Sequence, residues 1–128
     1  MLFRSMPEHR GCAILINRDY RPTFGDLEIF EYTRGVWRKA QKTIAGDSVY
    51  MYATYRGVVK EVYEINNWVP AGTQQYFTRH IDPKILKDRW EFVGRIAEEE
   101  IRKLYVGKII EKERSYGSSF VKVGFPDN

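Results

Sequence analysis

Cysteine is almost missing from this 128-residue chain: Cys12 stands alone. A single cysteine excludes an internal disulfide and any cysteine-built metal cage. Its neighbours, Gly11 and the run "AILI", predict a buried small hydrophobe. Histidine is nearly as scarce. His9 and His80 have no partner at metal-ligand spacing and read as surface or loop residues. No segment approaches the ~18 apolar residues of a membrane span. The opening "MLFRSMPEHR" is broken by charge and lacks the apolar region of a signal peptide, so a cytoplasmic location without membrane contact is expected. No glycine-rich phosphate loop precedes a helix, and no Gly-x-Ser-x-Gly elbow appears. One cysteine and two scattered histidines make a poor nucleophile set. Glu61 and Glu64, three apart in a strand, face opposite sides and form no dyad. Glu111, in "IIEKE", has no clearly paired acid upstream. No catalytic residue, metal ligand or cofactor is assigned, and the balance is against an enzyme.

What the chain does hold is aromatic and mildly basic. Aromatics make up 15% of the residues, with nine Tyr, seven Phe and three Trp. Tyr and Trp pair an apolar face with a polar edge, which suits half-buried walls and binding surfaces, and also the filling of a small barrel. The net charge is +4, a bias toward anionic partners. Arg34, Arg38, Lys39 and Lys42 fall in a stretch without acids, whereas Glu98, Glu99 and Glu100 are offset by Arg102 and Lys103. The length fits one domain, residues 1–128, with 1–11 and 125–128 as loose ends.

Residues 12–18 read as a buried strand before the polar loop "DYRPT". Helical spacing follows over 24–35, with Thr23 as cap, Asp26 three residues on, and Ile29, Phe30, Thr33, Val36 and Trp37 on one face. Gly35 stops that helix, so Trp37 sits where the chain leaves it. "RKAQKTIAGD" reads as a loop. In 48–56, Val49, Met51, Ala53 and Tyr55 alternate with Tyr50, Tyr52, Thr54 and Arg56, a core face against a tyrosine face. The next run, "RGVVKEVYEI", alternates imperfectly, so a glycine bend or bulge is expected at 57. "NNWVPAGTQQ" reads as a turn-rich loop holding Trp68. "HIDPKILKD" carries an Asp82–Pro83 start for a turn or brief helix. A strand is expected over 89–97 and a helix over 97–105, with Ile101, Leu104 and Tyr105 buried and Gly107 as stop. A last strand near 119–124 closes the sheet.

Unpaired bases stack on aromatic faces while Arg and Lys hold the backbone. Trp37 lies among Arg34, Arg38 and Lys39, Trp68 sits on a loop, and Trp90 directly follows Arg89. For Trp90 the partners Phe92 and Ile96 favour a core position. Tyr50 and Tyr52 fit barrel lining and ligand lining equally well.

The phrases "FEYTRGVW", "YRGVVKEVYEINNWVPAG" and "RWEFVGRIAEEEIRKLYVGK" resemble an uncharacterised family of small bacterial and archaeal domains, found alone or attached to nuclease-like or defence-associated proteins. The likeness spans roughly residues 12–108. It departs after "GK", where such domains continue with an Asn-Pro segment and this chain has "IIEKERSYGSSFVKV". More loosely, "GDSVYMY" turning into "GVVKEVYEI" is similar to the centre of PUA-like barrels, including the EVE, ASCH and YTH groups. That resemblance implies an α+β fold: a small mixed, strongly bent sheet or barrel of five to seven strands, with two main helices packed outside. It also implies an aromatic pocket for a nucleobase, often a modified one. The expectation is therefore a non-catalytic module for DNA or RNA. Trp37, Tyr50, Tyr52, Trp68 and Asp47 would form the pocket, and Arg34, Arg38, Lys39 and Lys42 would hold phosphate. The alternatives are a protein-interaction or homodimerisation module, or a metal-dependent nuclease or its accessory, with Glu61, Glu64 and Glu91 around the ion.

Overall fold

The computed structural model describes residues 11–16, 21–109 and 120–123. Within them, six strands form one mixed sheet: β1 (Gly11–Leu15), β2 (Gly35–Arg38), β3 (Tyr50–Tyr55), β4 (Val58–Pro70), β5 (Arg89–Ile96) and β6 (Phe120–Val123). Their spatial order is β2-β5-β4-β3-β1-β6. β1 runs parallel to β3, and every other pairing is antiparallel. Five strands curl through 225° as a half-barrel. The small, mixed, bent sheet expected from the sequence is present.

β3 and β4 are joined by two residues, Arg56 and Gly57, both at positive φ (51° and 82°), since Tyr55 pairs directly with Val58. Such a turn matches the right-handed twist of a hairpin, and glycine takes its second position without strain. The bulge lies further on than expected. Ala53 pairs with Glu61 and Thr54 with Val59, leaving Lys60 as the extra residue. Val59 and Val62 consequently fall in one core cluster and Tyr63 in the other, which accounts for the broken alternation. A second slip at Asn66, between Ile65↔Gly94 and Asn67↔Val93, bends β4 again. β4 then continues to Pro70, so Trp68 stands on a strand and not on a loop.

α1 (Asp26–Arg34) opens at Gly25, not Thr23; the Gly25 N–H donates to Glu28 Oε1 at 3.1 Å. Asp26 and Glu28 place negative charge in its first turn, which favours the helix dipole. The helix ends at Arg34, so Val36 and Trp37 belong to β2 rather than to a helical face. The segment expected as a loop contains α2 (Lys39–Ala45). "KAQKTIA" is rich in good helix formers, but seven residues are too short to display a period. α3 (Glu99–Tyr105) has acids first and bases last, as expected. Ile101 and Tyr105 pack inward, while Leu104 is exposed.

Two clusters form the core. Outside the curl, Ala13, Tyr52, Val59, Val62 and Ala97 pack with Tyr105 beneath α3. Inside it, Cys12, Ile14, Met51, Ala53, Tyr63, Phe92 and Phe120 pack together, with Phe30, Trp37 and Trp68 half-buried against them. Both faces of β3 are thus core, and the tyrosine face expected to be open is covered. Gly11 makes this possible: a Cβ there would run into the Tyr52 ring and the Tyr50 carbonyl. The curl brings the edge strands together. The Trp37 ring on β2 meets Phe120 on β6 edge-on at 4.7 Å between centroids, and α2 lies against both strands across the seam.

Candidate functional site

The pairing register collects all three tryptophans. Trp37 stands opposite Trp90, and Trp68 opposite Phe92. Directly paired residues share a face, as do residues two apart on one strand. Trp37, Trp90, Phe92 and Trp68 therefore line one face across β2, β5 and β4. Phe92 is fully buried and the tryptophans are half-buried. Phe92 meets Trp68 edge-on at 5.8 Å, and the Trp37 indole N–H donates to the Thr33 carbonyl at 2.9 Å. These contacts hold the rings at fixed angles.

Positive charge gathers at the same corner. The Lys42 ammonium lies 4.4 Å from the Trp90 ring centroid, a cation–π contact. Arg38 is exposed and stands opposite Arg89, and Lys39 is exposed at the start of α2. None of the four makes an ion pair among the described residues. Repulsion among them is left to solvent counterions, which an anion could replace.

Four expected site residues lie elsewhere: Arg34, Tyr50, Tyr52 and Asp47. Arg34 is buried, and its guanidinium donates to the Gln75 carbonyl at 2.6 Å while resting 4.3 Å over the Tyr76 ring; it is committed to packing and not offered to phosphate. Tyr52 is fully buried, its ring 5.2 Å from Tyr105 and 6.4 Å from half-buried Tyr50. Burial, then Glu64 and Glu98, push the Tyr50 hydroxyl up. Both belong to the cluster beneath α3, across the sheet from the tryptophans. Asp47 is exposed in the turn after α2. Alternation along β3 correctly separates two faces, but it cannot say that α3 covers the second.

The sequence also hid a loop clamp. Glu31 on α1 and Glu91 on β5 are both fully buried. Glu91 accepts from the Gly72 N–H at 3.0 Å, from the Gln74 N–H at 2.8 Å, and from the Gln74 side-chain amide and the Tyr76 hydroxyl. Glu31 accepts from the Phe77 and Thr78 N–H groups at 2.8 Å and from the Thr78 hydroxyl at 2.7 Å. Arg79 donates to the Gly35 carbonyl at 2.8 Å and lies 4.3 Å over the Tyr32 ring. Burial alone raises the Glu31 carboxyl, but the Phe77 and Thr78 hydrogen bonds, with Arg34 nearby, outweigh it and hold the group below its ordinary value. Burial and the adjacent Glu91 push the Tyr76 hydroxyl up to about 12. The result is a fixed loop that carries Phe77 74% exposed at its surface.

The acids named for a metal are each engaged separately. Arg102 holds Glu61 through two contacts, at 2.8 and 3.0 Å, Arg95 lies 3.6 Å from Glu64, and Glu91 serves the loop. No group of three His, Cys, Asp or Glu side chains is placed to hold a metal among the described residues. His80 is exposed; His9 and Glu111 lie outside the described residues. Among those residues no helix is long and apolar enough to cross a membrane. No protein-family model, curated protein or solved structure matches this chain, so the tryptophan face and its basic rim stand as the candidate site on geometry alone.

Proposed function

We propose that this domain binds nucleic acid without catalysing a reaction on it. Unpaired bases would stack at the face of Trp37, Trp68 and Trp90, with Arg38, Lys39, Lys42 and Arg89 on the phosphates. The observation that carries this reading is the register: three half-buried tryptophans on one face, with the Lys42 ammonium already seated on one of them. Each stacked base is worth ~1–3 kcal/mol, so two of them with a few phosphate contacts reach micromolar affinity. The sequence likeness to PUA-like barrels favours the finer form of the proposal, in which the base is modified.

Tryptophan fluorescence during titration with short oligonucleotides, unmodified and base-modified, tests both forms. Saturable quenching that persists as salt rises supports stacking, and preference for one modified base supports the finer form. With about three phosphates neutralised on a single strand, log affinity falls with log salt at a slope near ~−2. No response at low salt overturns the proposal. A second reading, a protein-interaction or homodimerisation module, draws on Phe77: a rigid loop with a bare phenyl ring suits a protein partner. Concentration-dependent association that nucleic acid does not alter would favour it.

A further inference from the structure

One bare ring and one apolar cleft are both built on α1. Phe77, at 74%, is the most exposed of the large apolar side chains among the described residues. Glu31 accepts from its backbone N–H and from that of Thr78, so the ring stands on a fixed base. An aromatic side chain presented in this way loses little freedom on binding and can anchor an interface. The cleft, of about 290 Å³, opens between the first turn of α1 and strands β4 and β5, at the far end of β5 from Trp90. That volume is near the ~300 Å³ at which small-molecule pockets begin, enough for one aromatic ring. Phe30 and Tyr63, packed 5.0 Å apart, line it, and the exposed side chains of Leu27 and Ile96 stand at its sides.

Knob and hole are neighbours along the helix. Glu31, which fixes the knob, lies one turn from Leu27, which walls the hole. A two-fold interface needs one patch that holds both halves of a contact, so that each copy gives and receives. This patch meets that condition, whereas a knob remote from its hole would build open chains. Charge agrees with it. Glu61 is engaged by Arg102 and Arg95 leans toward Glu64, which leaves exposed Asp26 as the surplus charge at the mouth of the cleft. The knob loop, residues 71–81, contains no acid and one arginine, Arg79, so it meets that mouth without repulsion. Two phenyl rings bury ~300–500 Å² and the walls receiving them about as much again. The total stays short of the ~1,200 Å² of a stable interface, which makes this a weak, reversible contact.

We propose that two copies of this chain associate through a reciprocal contact, the Phe77 ring of each seated in the Leu27–Phe30–Ile96 cleft of the other. The proposal rests on the second reading above, to which it gives a partner and a contact, and it is independent of nucleic-acid binding. Sedimentation equilibrium of the full chain up to about 1 mM tests it, with a dissociation constant expected on the order of 100 μM. Phe77→Ala removes the knob and Leu27→Arg obstructs the hole. Both alter exposed side chains and are expected to melt with the parent, and each should weaken association at least about tenfold. With Phe77 replaced by a photoreactive diazirine-bearing phenylalanine, irradiation should join two chains, at residues 26–30 or 94–96 of the second copy. A monomer at every concentration overturns both this contact and the homodimer form of the second reading. Association that survives both variants, or a crosslink that maps elsewhere, overturns this contact and leaves that reading standing on another surface.

Discussion

Single side chains of one type do different work here because of what covers them. Tyr52 and Trp68 both read as flat surfaces in the sequence, but α3 covers the first, and the second stays half-exposed. Their substitutions should therefore separate. Trp68→Ala or Trp90→Ala should weaken oligonucleotide binding about tenfold, the loss of one stacked base, as read by fluorescence anisotropy. Tyr52→Phe should leave that binding alone and cost ~1 kcal/mol in urea unfolding, because its hydroxyl shares a hydrogen bond with Tyr105 inside the core. The same logic removes Arg34 from any phosphate site. A guanidinium held by a carbonyl and a tyrosine face is structural, whatever its neighbours in sequence.

Among the elements, the segment from Gly72 to Thr78 is the one whose order rests on two side chains far away in the chain. Glu31 and Glu91 satisfy four of its backbone N–H groups, which a loop cannot satisfy by itself. Replacing either with Gln puts an N–H₂ where an acceptor was needed. Glu31→Gln and Glu91→Gln should each destabilise the protein by about 2 kcal/mol and speed amide exchange at Gly72, Gln74, Phe77 and Thr78. Acid should act in the same way. The Glu31 carboxyl is held below the ordinary value of 4.5. Its contribution is thus complete above that pH and is lost as pH falls through the lower folded value. Hydrogen exchange of the Phe77 and Thr78 amides, followed from pH 6 downward, should show protection steady above 4.5 and lost below it.

For the molecule as a whole, the decisive contact joins the two edges of the sheet. β2 and β6 are the outermost strands of the order, yet Trp37 and Phe120 touch, and α2 covers the join. β2 and β6 do not pair with each other among the described residues, so side chains and α2 hold the seam. Phe120→Ala should cost ~3–5 kcal/mol, as cavity-forming losses of a buried phenyl ring do. It should also shift Trp37 emission to the red as the seam admits water. If the emission does not move while stability falls, the seam is held by α2 alone.

Local pattern was enough for much of the fold. The strand at 89–96, the hairpin turn at Arg56–Gly57 and the α3 helix with its ordered charges follow from alternation, turn chemistry and the helix dipole, all of which act within a few residues. The bent mixed sheet was expected from the resemblance rather than from local pattern, whereas the aromatic and basic character of the candidate site and its members Trp37, Trp68, Arg38, Lys39 and Lys42 were legible in the residues themselves. Decisions that needed distant residues were not legible. Burial of Tyr52 depends on α3, some fifty positions later, and commitment of Arg34 and Glu31 depends on a loop more than forty positions on. Trp90 joined the site because register, which no short window contains, set it opposite Trp37. Side-chain period tells which residues share a face of one strand; only the folded sheet tells what lies against that face.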